Sequence, residues 1–217
     1  MKFKYLILGF LLVWNCSEED IEKLKDFQKR PAPQIAFPES KIRVKDRAKT
    51  IILRIECSRS EALIKDREKQ TRGRLIIDKD KFLLSDQAGT LIWQAESGDS
   101  DSTRFKAENG NTIYTRFQYK NTIRIENQRS EVLYELKLKS SRRFELHRRN
   151  KLIAKGTVYG DMLKIKDPKG NVLFTVHGAP TASALYFAAE DFSQIERAAL
   201  FLMDHRAAVE EEPQRLF

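Results

Sequence analysis

The chain has 217 residues, 41% of them hydrophobic and 10% aromatic, a composition that excludes intrinsic disorder and suffices for one large β domain or two small ones. The formal charge is +9, from 40 Lys and Arg against 31 Asp and Glu. That excess permits an anionic partner, whether phospholipid headgroup, nucleic acid or acidic polysaccharide, and equally a plain solvated basic surface.

The N-terminus reads as an export signal. Lys2 and Lys4 make a short basic segment, residues 5–14 are an apolar run, and Asn15-Cys16-Ser17 follows. The run is too short to span a bilayer and has the proportions of a signal-peptide core. The stretch Leu12-Val13-Trp14-Asn15-Cys16 resembles a bacterial lipobox, in which a signal peptidase cuts before a cysteine that becomes lipid-modified; Asn15 stands where Gly, Ala or Ser is usual. This resemblance implies a signal peptide over 1–15, a lipidated Cys16 and a lipid-anchored protein of the cell envelope. The second cysteine, Cys57, is then a lone thiol or a small buried residue; a single Cys16–Cys57 disulfide is the alternative. Residues 16–34 read as a tether, with a weak helical stripe at Ile21 and Leu24 that Pro31 and Pro33 end.

From Ile42 the chain repeats itself. IRVKDRAKTIILRI, FLLSDQAGTLIWQA, IRIENQRSEVLYEL and LKIKDPKGNVLFTV align, with turn residues Asp46, Asp86, Asn127 and Asp167 at spacings of 40, 41 and 40. Each copy alternates apolar and polar residues, turns, and continues with a β-branched or aromatic run, which predicts a β-hairpin. A second hairpin type lies between the copies, around Asn109-Gly110 and around residues 144–153, with a weaker counterpart over 62–77. Two hairpins per period of about 40 predict a closed or repeated β architecture.

The last predicted element is a helix over 191–208, opened by the capping-box pair Ser193 and Glu196. Residues 198–203 are apolar all the way round, so this helix needs protein on every side. A closed barrel of about 12 strands is too wide to fill its own interior, and such a helix would plug it. The fold class predicted is therefore mainly β, a closed antiparallel barrel of about 12 strands from repeated hairpins around a hydrophobic C-terminal helix, in one domain over 35–217.

On these hairpins, of the kind Asp167-Pro-Lys-Gly170-Asn-Val-Leu-Phe174, and on the terminal apolar run, the chain resembles the tubby C-terminal-like superfamily, which includes the LURP-one-related proteins and the phospholipid scramblases. The resemblance implies a 12-stranded barrel threaded by its C-terminal helix, and a basic surface that binds phosphoinositides.

The sequence carries no G-x-S-x-G, H-E-x-x-H, C-x-x-C, Walker A or G-x-G-x-x-G motif, so no enzyme activity, metal or cofactor is expected. His147, His177 and His205 lie far apart, and Asp46, Asp86 and Asp167 read as turn residues bonding their own backbone rather than as metal ligands. Cations recur between the apolar positions of the first strands: Arg43 and Lys45, Arg124, Lys164 and Lys166. Arg142, Arg143, Arg148 and Arg149 add to them, and arginine's planar fork suits phosphate oxygens. The candidates for an anionic ligand are Arg142, Arg143, Arg148, Arg149, Lys164 and Lys166. The expected function is non-enzymatic: a membrane-anchored module binding an anionic lipid or envelope component. The alternatives are a scramblase-like phospholipid-handling protein and a structural envelope protein with a protein partner. Nucleic acid is not an expected partner, because no interleaved aromatic platform is present.

Overall fold

One turn is built six times. At Asp46, Asp66, Asp86, Ala107, Asn127 and Asp167 the backbone carbonyl accepts from the N–H three residues on, and the backbone N–H donates to the carbonyl four residues on. The residue at the third position is left-handed each time: Lys49, Lys69, Gly89, Gly110, Ser130 and Gly170 all have positive φ. This is the three-residue hairpin loop with a bulge, whose twist suits the flanking strands. Where the first residue is Asp or Asn, its side-chain oxygen also accepts the N–H four residues on, as from Thr50, Gln70, Thr90, Glu131 and Asn171. The sequence expectation that these aspartates bond their own backbone holds.

The turns fall 20 or 21 residues apart from 46 to 127, and 40 lie between 127 and 167. In that last interval Arg149 and Asn150, both at positive φ, form a two-residue turn instead. The repeat is therefore one hairpin of about 20 residues, half the period legible in the sequence.

The computed structural model divides into two units, Met1–Gln34 and Ile35–Phe217, and describes residues 37–78, 81–98 and 101–211. The signal-peptide, Cys16 and tether assignments lie outside the described residues, as does the side chain of His205. Seven hairpins give 14 antiparallel strands, from β1 (Ser40–Lys45) to β14 (Val172–His177), rather than about 12. The 62–77 hairpin, weak in sequence because of its charged loop, forms two full strands, β3 (Glu61–Lys65) and β4 (Thr71–Asp78). Each strand pairs with its sequence neighbours, and β1 closes on β14 through Arg43 opposite His177 and Val44 opposite Val176. Closure leaves no edge strand.

Strands meander, so their turns alternate between two ends. The six-fold turn lies at the far end; Phe37, the start of β1 and the end of β14 lie at the near end. From there Gly178 turns the chain inward, and a 3-10 segment, Ala182–Ala188, runs through the lumen with Ala184, Leu185 and Tyr186 fully buried. The chain reverses at the far end, and helix α1 (Gln194–Glu211) runs back through the barrel. Its predicted capping box is present: Ser193 Oγ accepts the Glu196 N–H at 3.3 Å, and Glu196 Oε2 accepts the Ser193 N–H at 2.9 Å. The helix thus starts right after the expected cap Ser193, inside the span 191–208, and extends further, to Glu211. Ala198, Ala199, Leu200, Phe201 and Leu202 are all buried, as an all-round apolar run requires.

Two fillers, not one, plug the lumen, and a strand glycine accommodates each. A Cβ on Gly156 would stand 2.5 Å from Leu185 of the 3-10 segment, and one on Gly73 2.5 Å from Ile195 of α1.

Candidate functional site

Strand alternation decides which side chains face outward. On β13 (Met162–Lys166) Leu163 and Ile165 are fully buried, so Lys164 and Lys166 point out; on β12 (Lys151–Tyr159) buried Ala154 and Gly156 put Lys155 and Thr157 outside. On β1, Ile42 and Val44 face the core and Lys41, Arg43 and Lys45 face solvent; on β14, Val176 is buried between Thr175 and His177. None of these outward residues on β12, β13, β14 and β1 is acidic. Arg54 on β2 (Ile51–Cys57) and Arg143 on β11 (Arg143–Arg148) flank the face on its two sides.

Register assembles them into rows. Lys45 stands opposite Thr175, Thr175 opposite Lys164, Lys164 opposite Thr157, and Thr157 opposite Arg143. In the next row Lys155 stands opposite Lys166. Arg43 is opposite Arg54, which is in turn opposite Lys65. Directly opposed residues on one face have Cβ atoms about 5 Å apart, and like charges there destabilise the sheet. Among the described residues, none of Arg43, Lys45, Arg54, Lys155, Lys164 and Lys166 makes an ion pair with a carboxylate.

Elsewhere the barrel wall alternates its signs. Glu96 lies between Lys81 at 2.9 Å and Lys106 at 2.6 Å, and its carboxyl is lowered to about 2 by the hydrogen bonds from those two amines. Glu135 lies between Arg124 at 3.0 Å and Lys137 at 2.7 Å, and Arg74 meets Glu61 at 2.7 Å. Uncompensated charge is thus concentrated on one side.

The six sequence candidates do not form one cluster. Lys164 and Lys166 belong to the face. Arg142 and Arg143 stand at the near-end tip of the β10–β11 hairpin, while Arg148 and Arg149 stand at the far end of β11, five residues and about 17 Å along the strand from Arg143. Arg148 is moreover spent on structure: its guanidinium pairs with Asp191, whose carboxylate also accepts the Tyr134 hydroxyl at 2.8 Å. Burial, with Asp191 adding to it, pushes that hydroxyl up to about 12. Arg149 occupies the left-handed turn. Spacing on one hairpin suggested proximity, but a strand that crosses the wall holds its two ends apart.

Lys155 and Arg54 were not among the sequence candidates. Lys155 was discoverable from its place beside Gly156 in an alternating run; Arg54 becomes part of the face only because β1 closes on β14.

A second feature is an open pocket of about 310 Å³ at the far end, lined by Val44, Ile52, Phe174, Phe187 and Phe192, with Ser193, Gln194 and Arg197 at α1's start. The Arg197 guanidinium donates to three backbone carbonyls, of Phe192, Phe187 and Glu190, and so holds the reversal between the two fillers. Among the described residues no group of His, Cys, Asp and Glu could hold a metal ion, and no helix is long and apolar enough to cross a membrane. Cys57 is free, half-buried, and burial pushes its thiol up.

No protein-family model matches the chain, and no curated protein does. Among solved structures it is similar to the X-ray structure of a protein from Arabidopsis thaliana, at 15% identity and a TM-score of 0.41, over 80% of this chain and 95% of that one.

Proposed function

We propose that this protein is a non-catalytic, membrane-anchored module that binds an anionic lipid surface through the outer face of β12, β13, β14 and β1. The observation that carries the reading is the concentration of like charge there: Lys155 stands against Lys166 with no ion pair on either, and Arg43 stands against Arg54, whose charge Glu56 partly offsets. A flat array of cations with threonines between them suits headgroup phosphates. The lipidated Cys16 implied by the lipobox would hold the face within reach of a membrane. The tubby-like resemblance, with its helix-filled barrel and basic binding surface, points the same way.

The scramblase-like alternative calls for an apolar path for lipid. The lumen, occupied by Trp93, Phe105, Tyr186 and Phe201, speaks against one, and the far-end pocket is at the low limit of ligand-pocket volumes.

The test compares the full chain on vesicles of graded anionic content with two triple variants. In one, Lys155→Glu, Lys164→Glu and Lys166→Glu reverse the face. In the other, Arg47→Glu, Arg67→Glu and Arg129→Glu reverse exposed turn residues. At about 1 kcal/mol per basic residue near an anionic membrane, the face variant is expected to lose about a hundredfold in affinity and the turn variant far less. Equal losses would make the attraction a general effect of net charge, undiminished binding in both would mean that another surface meets the lipid, and no binding by the parent would redirect the search to a protein partner. Separately, Cys16→Ser is expected to abolish membrane fractionation; unchanged fractionation would place the anchor elsewhere.

A further inference from the structure

The large hydrophobic side chains exposed among the described residues are Tyr119 at 51%, Leu138 at 38% and Tyr159 at 52%. All three flank near-end turns, on the consecutive hairpins β8–β9, β10–β11 and β12–β13, the tyrosines on the outer wall and Leu138 on the lumen side of its strand, at the mouth of the barrel. Exposed apolar side chains scattered singly need no explanation; three on neighbouring tips of one end do.

The two tyrosines are copies. They stand 40 residues apart on the outer wall, and each lies under the cation five residues on: the Arg124 guanidinium is 5.4 Å from the Tyr119 ring centre, and the Lys164 amine 5.4 Å from that of Tyr159. Phe117 stacks on Tyr119 at 6.5 Å, widening the aromatic patch. Arg142 and Arg143 stand on the tip between them. The opposite half of the near end differs: its turns mix Asp78 and Asp101 with Arg59 and Lys81, and it has no exposed large hydrophobic among the described residues. The rim is therefore uneven: its exposed aromatic and apolar side chains lie on one half, beside Arg142 and Arg143, and Asp161 is the exposed acid of the β12–β13 turn there.

An apolar ring with a polar tip beside a cation is the chemistry of a membrane–water interface, where tyrosine sits at headgroup depth and arginine and lysine reach phosphates. We infer that the β8–β13 half of the near end is where the barrel seats in the headgroup layer of a lipid membrane, with Tyr119, Leu138 and Tyr159 reaching the acyl boundary. This rests on the anionic-lipid reading above and adds to it an orientation and an apolar, salt-resistant component. The basic face reaches this rim along β11–β13, so the barrel meets the surface tilted, rim and adjoining face together.

The experiment uses the full chain on vesicles of phosphatidylcholine and phosphatidylglycerol whose acyl chains are brominated near the headgroup. Tyr119→Trp, Tyr159→Trp and, at the far end, Gln87→Trp are made one at a time, and the fluorescence of the parent is subtracted. The fluorescence added by the two rim substitutions is expected to shift blue and be quenched at least twofold more than that added at Gln87. Equal quenching at all three sites overturns the inference, as does a full chain that does not bind the vesicles. In a second arm, Tyr119→Ser, Leu138→Ser and Tyr159→Ser together are expected to lower the binding that remains in about 1 M salt by tenfold or more. Unchanged high-salt binding also overturns it. Failure of the basic-face reading looks different: reversal of Lys155, Lys164 and Lys166 then leaves low-salt binding intact while rim quenching persists. A soluble dimer whose self-association is lost with the three serines would assign the patch to a second copy instead.

Discussion

The Arg116 guanidinium on β8 meets the Asp204 carboxylate on α1 at 2.5 Å inside the barrel, with both side chains about nine-tenths buried. The same Nη2 donates to Gln118 at 2.9 Å, Arg116 Nε and Asp204 Oδ2 are buried with no hydrogen bond, and the Tyr186 hydroxyl is buried close enough to interact with the guanidinium. This polar knot ties the wall to the helix beside the 3-10 segment, in a mostly apolar lumen. Removing one member strands the other. Asp204→Ala is expected to cost about 3–5 kcal/mol by urea denaturation, and Arg116→Leu with Asp204→Leu to recover most of it. A double variant no better than the single one would show that the knot does more than neutralise itself.

The helix as a filler can be tested at its middle. Leu200 is 4% exposed in a run with apolar neighbours on every side, so Leu200→Asp places an unpaired charge where nothing answers it. The expected outcome is loss of the cooperative thermal transition. A soluble variant that still melts cooperatively would sink the filled-barrel architecture.

Fillers and wall also meet at Gly73, where an added Cβ would crowd Ile195 Cγ2 at 2.5 Å and the Ser85 carbonyl oxygen at 3.1 Å. A β-branched side chain on a helix cannot swing away easily. Gly73→Val is expected to lower stability by about 1–3 kcal/mol, and Ile195→Ala to relieve part of that when the two are combined. Additive losses in a double-mutant cycle would mean that the two positions do not press on each other.

Much of the architecture was legible in sequence because period-two alternation and an Asp or Asn turn leave strong local marks, as at Asp167 and Gly170. The strand number was not, because the hairpin around Asp66 leaves only a weak mark: its turn is completed by Lys69, without the glycine that marks Gly89 and Gly170, inside a charged loop. The capping box marked the start of α1, whereas the 3-10 segment has no periodicity of its own and is ordered by the lumen it enters. The site was half legible: alternation exposed Lys164 and Lys166, but only closure of β1 on β14 places Arg43 in the same sheet face. Arg148 looked like a ligand-binding arginine and is held by Asp191, a residue 43 positions away.

The left-handed turn residues also invite stabilisation. Lys49, Lys69 and Ser130 are left-handed at φ of 65°, 67° and 59°. An L-residue with a side chain costs about 1–2 kcal/mol there that glycine does not, partly offset by glycine's greater freedom in the unfolded chain. Lys49→Gly, Lys69→Gly and Ser130→Gly are each expected to raise stability by up to about 1 kcal/mol. Gly89→Ala should do the reverse, and thermal melts of the four variants decide the matter.

Acid should find the compensated side of the barrel before the basic face. Glu96, clasped by Lys106 and Lys81, has its carboxyl lowered to about 2 in the folded protein. A folded-state value below the unfolded one means that its contribution is complete above the ordinary glutamate range and disappears as pH falls from there through about 2. The pair is near the surface and salt-screened, so its effect is modest. Glu96→Gln should melt earlier than the parent at pH 7, and the gap should close as the pH approaches 2, faster in low salt than the face variants change. A gap constant from pH 7 to pH 2 would mean that the loss comes from packing of the longer side chains rather than from charge, and the direct check is the Glu96 carboxyl resonance, whose titration midpoint should lie near 2.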